Sequence, residues 1–223
     1  PLLAARLAAV VCDRRRVPGI EGEPAPAEEK AVDALLVQLR EFCDRAIDAE
    51  RIDEEENIPE TVIQGLAGLG ILGLSIPEKF GGLGWTQYGY CRVMELLASH
   101  CGSTGLLVNA HQSVGLKALL LFGTEEQKAR WLGPLARGEL LAAFSLTEPN
   151  AGSDASNSKT TAVLDGNEWV INGSKIFITN AATRITSGVT VLARTGQRDD
   201  GRAELSCIIV EAGTPGFTAK PMH

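Results

Sequence analysis

Ala143-Phe144-Ser145-Leu146-Thr147-Glu148-Pro149-Asn150-Ala151-Gly152-Ser153-Asp154 divides the chain into two parts that read differently. Upstream, apolar residues recur at the 3.6-residue spacing of amphipathic helices. Downstream they alternate with a period of two. The stretch itself is rich in small and hydroxylic residues and contains a Pro and a Gly. Such a segment can bring backbone N–H groups and hydroxyls close to a planar or phosphorylated ligand. By composition alone it equally fits an interdomain linker.

Working upstream, a helix is expected over 27–49, with Val32, Leu35, Leu36, Leu39, Phe42, Cys43, Ala46 and Ile47 on one face. Residues 51–57 read as an acidic connection. Pro59 suits the first turn of a helix that buries Val62, Ile63, Leu66 and Leu69 and stops at Gly70. Further helices are expected over 86–99 and over 103–121, the latter apolar on nearly every face. The last begins at Thr124, where Thr124-Glu125-Glu126-Gln127 is a capping-box pattern, and ends near Gly138. Short connections imply an antiparallel bundle. Gly68-Leu69-Gly70-Ile71-Leu72-Gly73 matches GxGxxG literally, but it closes a helix instead of following a strand, and no acidic residue sits about twenty positions on. It is therefore not a dinucleotide fingerprint.

Working downstream, strands are expected over 160–164, 168–171, 174–179, 189–194 and 205–210, with another start at 217–220. Asp165-Gly166-Asn167 and Asn172-Gly173 are the turns, the second a strong hairpin signal. Asn172-Gly173-Ser174 is also a glycosylation sequon, which the turn role explains better. The expected class is α+β: an antiparallel helical bundle, then an antiparallel β domain or partial barrel. The domains are 1–26 (an extension with a short helix over 2–15 and a Pro/Gly/Glu-rich linker), 27–141 and 142–223.

Composition narrows the function. The 223 residues are 44% hydrophobic and 22% charged, and the net charge of −7 with no basic, aromatic-rich face argues against nucleic acid. Cys12, Cys43, Cys91, Cys101 and Cys207 are widely spaced, without zinc-ligand spacing, and read as free, buried thiols in a reducing setting. No metal site is expected. The apolar run 2–11 precedes Arg14-Arg15-Arg16, the wrong order for a signal peptide, and no apolar run reaches membrane-spanning length. A chain opening on Pro1 reads as a piece of a longer protein. No HExxH, GxSxG or P-loop occurs. His111 reads as a hydrogen-bonded core residue, Glu95 as a helix-surface residue and Glu148 as a residue that orders its loop.

The segments FSLTEPNAGSD (144–154) and NGSKIFITN (172–180) resemble the acyl-CoA dehydrogenase family, as do GLGILGLSIPEKFGGLG, NAHQSVG and FGTEEQK upstream. The last two are most similar to the very-long-chain branch, and the resemblance runs from about residue 27 onward. It implies an FAD-dependent enzyme that oxidises a fatty acyl-CoA to the trans-2-enoyl-CoA and passes electrons to an electron-transfer flavoprotein. Phe144, Leu146, Thr147, Gly152 and Ser153 would hold the flavin from one segment, and Phe177, Ile178 and Thr179 from the other. Ser153 would also touch the CoA portion of the substrate, and residues 102–107 would border the acyl tunnel. Phe177 stands where the family usually has Trp, and Phe144 where Tyr is common. The resemblance also implies a third, helical domain that carries the α-proton-abstracting glutamate. None of these residues is assigned as that base, which is expected beyond residue 223. A homo-oligomer (dimer or tetramer) in the bacterial cytoplasm or the mitochondrial matrix follows by similarity. Two alternatives stand beside this reading: an acyl-CoA oxidase, and a non-catalytic flavin- or CoA-binding or assembly module.

Overall fold

The computed structural model describes residues 25–222. The helix expected over 2–15, most of the linker and Cys12 lie outside the described residues. The chain forms two compact units, divided between Leu141 and Ala142.

In the first unit, α1 (Pro26–Ala46) begins with Pro at its first turn, Glu28 and Glu29 toward its N-terminus and Arg45 in its last turn, matching the helix dipole. It buries Val32, Leu35, Leu39, Phe42 and Cys43, while Ala46 is exposed. The acidic connection is partly helical: α2 (Ala49–Glu54) is capped by Asp48 and buries Ile52. One apolar residue per turn sufficed there, so charge density misled the reading. α3 (Glu60–Gly68) follows Pro59 and buries Val62, Ile63 and Leu66. Gly70 ends it at φ +77°, a left-handed conformation that costs glycine little.

α4 (Gln87–His100) starts at Thr86, whose N–H and hydroxyl both donate to Glu28 Oε1, at 2.9 and 2.8 Å. This bond ties the N-terminus of α4 to that of α1. The helix expected over 103–121 is three pieces: α5 (Gly102–Asn109), a π-helical segment (Ala110–Gly115) and α6 (Lys117–Phe122). The run Gly102–Phe122 is long and apolar enough, by length and composition, to cross a membrane, which corrects the reading of the apolar runs; half of it is buried within the folded chain. α7 (Glu125–Ala136) carries the complete Thr124–Gln127 capping box.

The second unit is a five-stranded sheet: β1 (Leu141–Ser145), β2 (Thr161–Asp165), β3 (Glu168–Asn172), β4 (Thr186–Gln197) and β5 (Ala203–Glu211). β4 is its hub, hydrogen-bonded to β1, β2 and β5. β2 and β3 form the expected antiparallel hairpin, with Val163 opposite Val170 and Leu164 opposite Trp169. β4 and β5 are antiparallel with an irregularity at Arg194/Gly196, whereas β2 runs parallel to β4, so the sheet is mixed. Ala143, Ala162, Val189, Val191 and Ala193 form its core.

Three strand expectations change. Residues 143–145, read as the start of the loop, belong to β1 (Leu141–Ser145). Its Ala-rich sequence has little strand preference, and β4 supplies the partner that decides its conformation. Residues 174–179 are irregular, because Phe177 (φ +58°) and Asn180 (φ +68°) take left-handed conformations no strand contains. Gly173 does not open a hairpin either. A Cβ there would overlap the Thr160 side chain, so the residue is needed for close approach. Residues 217–220 form no strand. Among the described cysteines, Cys43 and Cys101 are buried, Cys207 is half-buried and Cys91 is exposed, and all four are free.

Candidate functional site

The GxGxxG segment is a structural turn. His111 Nε2 lies 3.2 Å from the Leu72 carbonyl, and Gln112 Nε2 donates to the Ile71 carbonyl at 2.6 Å. Gln112 Oε1 accepts from Ser75 N–H at 3.2 Å. The π-helical segment thus satisfies polar groups that this turn would otherwise bury unpaired. Burial pushes the His111 imidazole down to about 4, against hydrogen bonds to the Leu72 and Leu135 backbones that favour the proton. It is a core histidine, as read from the sequence.

Buried polar side chains of the second unit gather in two neighbouring segments, 144–160 and 173–180. Glu148 and Ala151 exchange backbone hydrogen bonds at 3.0 and 3.1 Å, folding Pro149 and Asn150 into a tight turn. Glu148 is 4% exposed. It accepts from Ser158 Oγ, from Lys159 N–H (2.6 Å), and from Thr160 N–H (2.9 Å) and Oγ1 (2.6 Å). Lys175 Nζ completes the set at 2.9 Å. Burial opposes ionisation of this carboxyl, but the hydrogen bonds from Ser158, Thr160, Lys159 N–H and Lys175 outweigh it and hold it well below the usual carboxylate range. Glu148 therefore orders the loop.

The second segment lies alongside. Ile176 N–H donates to the Thr147 carbonyl at 2.9 Å, and Lys175 Nζ to the Leu146 carbonyl at 3.0 Å. Asn180 is buried: its amide donates to the Ala142 carbonyl at 3.4 Å, and its carbonyl accepts from Thr186 Oγ1 at 2.6 Å.

These bonds bring Leu146 and Thr147 beside Lys175 and Ile176, and so close to Phe177, Ile178 and Thr179. Phe144 is half-buried in β1, between buried Ala143 and Ser145. Thr147 and Thr179 are half-buried, and among the described residues neither hydroxyl has a hydrogen-bond partner in the folded chain. Phe177 is 64% exposed. Ile178 packs against the sheet core, so its side chain belongs to the fold and only its backbone can face outward. Gly152 and Ser153 are exposed. A Cβ on Gly152 would meet nothing within 4 Å, so the folded chain itself does not require glycine there. Among the described residues no group of three or more His, Cys, Asp or Glu could hold a metal ion.

Sequence reasoning missed Lys175, Ser158 and Thr160. The one trace of Lys175 is a charge placed directly before the apolar Ile176-Phe177-Ile178.

Comparison with known proteins places both units. Residues 29–139 match the acyl-CoA dehydrogenase N-terminal domain, and residues 143–223 match the acyl-CoA dehydrogenase middle domain. The chain belongs to the acyl-CoA dehydrogenase family. It is 43% identical to a probable acyl-CoA dehydrogenase of Bacillus subtilis over 81% of its own length and 47% of that protein's. It is 38% identical to the mitochondrial very long-chain specific acyl-CoA dehydrogenase of Macaca fascicularis, over 84% of this chain and 29% of that one. An acyl-CoA dehydrogenase from Bacillus anthracis, solved as a complex with FAD, superimposes with a TM-score of 0.76 at 31% identity, covering 87% of this chain and 33% of that chain. The chain thus spans less than half the length of these relatives.

Proposed function

We propose that this chain supplies the flavin-holding wall of an FAD-dependent acyl-CoA dehydrogenase. The observation that carries the reading is the pairing of 146–153 with 175–179. Together they present one exposed aromatic ring, two unused threonine hydroxyls and a glycine for which the fold has no internal need. A planar ring with a polar edge and a phosphate tail fits these features. The family relationship and the FAD complex of the B. anthracis neighbour support the same cofactor.

Bound FAD would supply the hydride-accepting chemistry of α,β-dehydrogenation. The chain's own residues hold and shield it. Thr147 and Thr179, whose hydroxyls are otherwise unused, would donate hydrogen bonds to the polar edge of the ring. Phe144, Leu146 and Phe177 supply apolar surface that excludes water, and the Ile178 backbone borders the ring. The bare main chain at Gly152–Ser153 admits a phosphate-bearing tail, with Ser153 also meeting the CoA portion of the substrate. The reaction of the whole protein is α,β-dehydrogenation of a fatty acyl-CoA. An electron-transfer flavoprotein takes the electrons, and a homo-oligomer in the bacterial cytoplasm or the mitochondrial matrix is the working form.

The test uses the protein expressed from its complete reading frame. It purifies yellow, its flavin absorption bleaches under anaerobic addition of one of a series of acyl-CoAs, and trans-2-enoyl-CoA forms. Flavin that stays oxidised with every chain length refutes the dehydrogenase reading. Stoichiometric peroxide in air assigns an oxidase instead.

A further inference from the structure

We propose that Glu148 and Lys175 are positioning residues, a buried clamp that sets Phe177 and Thr179 against Thr147; as an account of cofactor binding it rests on the flavin reading above. Three features point to this role. First, the segment that carries Phe177 and Thr179 has no strand partner, so its placement depends on a few discrete bonds. Among the described residues, those joining 175–176 to the 146–158 loop are the Ile176–Thr147 backbone bond and the contacts of Lys175.

Second, Lys175 uses its whole donor capacity on that loop. An ammonium has three N–H bonds. Here they meet the Leu146 carbonyl at 3.0 Å, Glu148 Oε1 at 2.9 Å and Ser158 Oγ at 3.2 Å. The side chain is only 9% exposed and that of Glu148 only 3%. Glu148 in turn gathers Ser158, Lys159 and Thr160, so one carboxylate fixes the return of the loop and one ammonium spans to the second segment.

Third, a buried ion pair is a poor source of stability. Two apolar groups of similar volume would hold the fold as well. What they would lack is the fixed direction of three hydrogen bonds, which is the property a ligand site needs. The strained backbone at Phe177, held beside this pair, fits a segment kept in place for what it presents.

The experiment compares Lys175→Met, Glu148→Gln, the double variant and Ser158→Ala in the complete protein. It measures FAD affinity, urea stability and amide hydrogen exchange at Ile176. Lys175→Met weakens FAD binding by at least about tenfold, the size of loss seen when a residue that orients a ligand-holding group is removed, and speeds exchange at Ile176. The double variant, with no unpaired buried charge, recovers most of the urea stability but not the FAD affinity. That split is the signature of positioning; recovery of both together would reduce the pair to a structural one and overturn the proposal. Unchanged FAD affinity and unchanged Ile176 exchange in Lys175→Met also overturn it. If the double variant fails to fold, Ser158→Ala decides: it keeps both charges, and an unaltered FAD affinity refutes the clamp. If the parent protein binds no FAD, the functional reading fails separately, and Ile176 exchange in Lys175→Met alone shows whether the pair holds the two segments together.

Discussion

His111 gives the first unit a calculable sensitivity to acid. The ring is fully buried, and its Nε2 lies 3.2 Å from the Leu72 carbonyl. Burial lowers its pKa to about 4, from about 6.5 in an unfolded chain. Between those two values the unfolded chain binds a proton that the folded chain does not. Stability is therefore complete above about pH 6.5, falls as the pH drops through this window, and levels off below about pH 4. The gap corresponds to about 3 kcal/mol in full, of which about 2 kcal/mol is lost between about pH 7.5 and about pH 5. Urea unfolding followed by far-UV circular dichroism at those two pH values measures it. Glu148 does not confound the comparison: its depressed carboxyl loses stability only as the pH falls below about 4.5, the unfolded value. His111→Gln should be less stable overall yet flat across the window. A wild-type chain equally stable at both pH values, or a variant with the parent's slope, refutes the burial argument.

Three other outcomes follow from local geometry. Phe177→Gly removes a left-handed φ of +58° from a bulky residue and should raise urea stability by about 1 kcal/mol, while flavin titration shows weaker FAD binding. Gly173→Ala forces a methyl group into Thr160 and should cost about 2 kcal/mol, read as a lower urea midpoint at unchanged m-value. Thr124→Ala abolishes the capping box of α7 and should cost about 1 kcal/mol by the same assay.

The sequence was most legible where one local signal decides one local structure. The apolar face of α1 stands for Val32, Leu35, Leu39, Phe42 and Cys43 but not for exposed Ala46, while Gly70 as a helix stop, the Thr124 capping box and the Asp165–Asn167 turn, which each act within a few residues, stand as read. It was least legible where a distant partner decides. The Ala-rich β1 exists because β4 lies beside it. Residues 174–179 alternate like a strand but have none to pair with, so Lys175 and Ile176 turn their bonds to the 146–148 main chain. The π-helical segment was invisible for the same reason: its turn opens so that His111 and Gln112 reach the carbonyls of Ile71 and Leu72. Of the candidate site, the two segments were legible through resemblance. The bonds that join them were not, because no local pattern links Glu148 to Lys175.

The two units spend buried polarity on opposite tasks. In the first, His111 and Gln112 use neutral side chains to cap the backbone of a turn, and the result is an uncharged core. In the second, a carboxylate and an ammonium are buried to hold a segment that has no ladder of its own. Charge is costly to bury, and a neutral pair would have sufficed if the fold were the only requirement. The same segment leaves Phe177 exposed in a strained conformation and the Thr179 hydroxyl unused, and Thr147, in the loop bonded to it through Ile176, leaves a second. Strain, buried charge and unused donors thus converge on the two joined segments 147–148 and 175–179, and the sheet core, built from alanines and valines, shows none of them. That contrast separates what this unit needs in order to fold from what, on the proposed reading, it holds ready for a flavin.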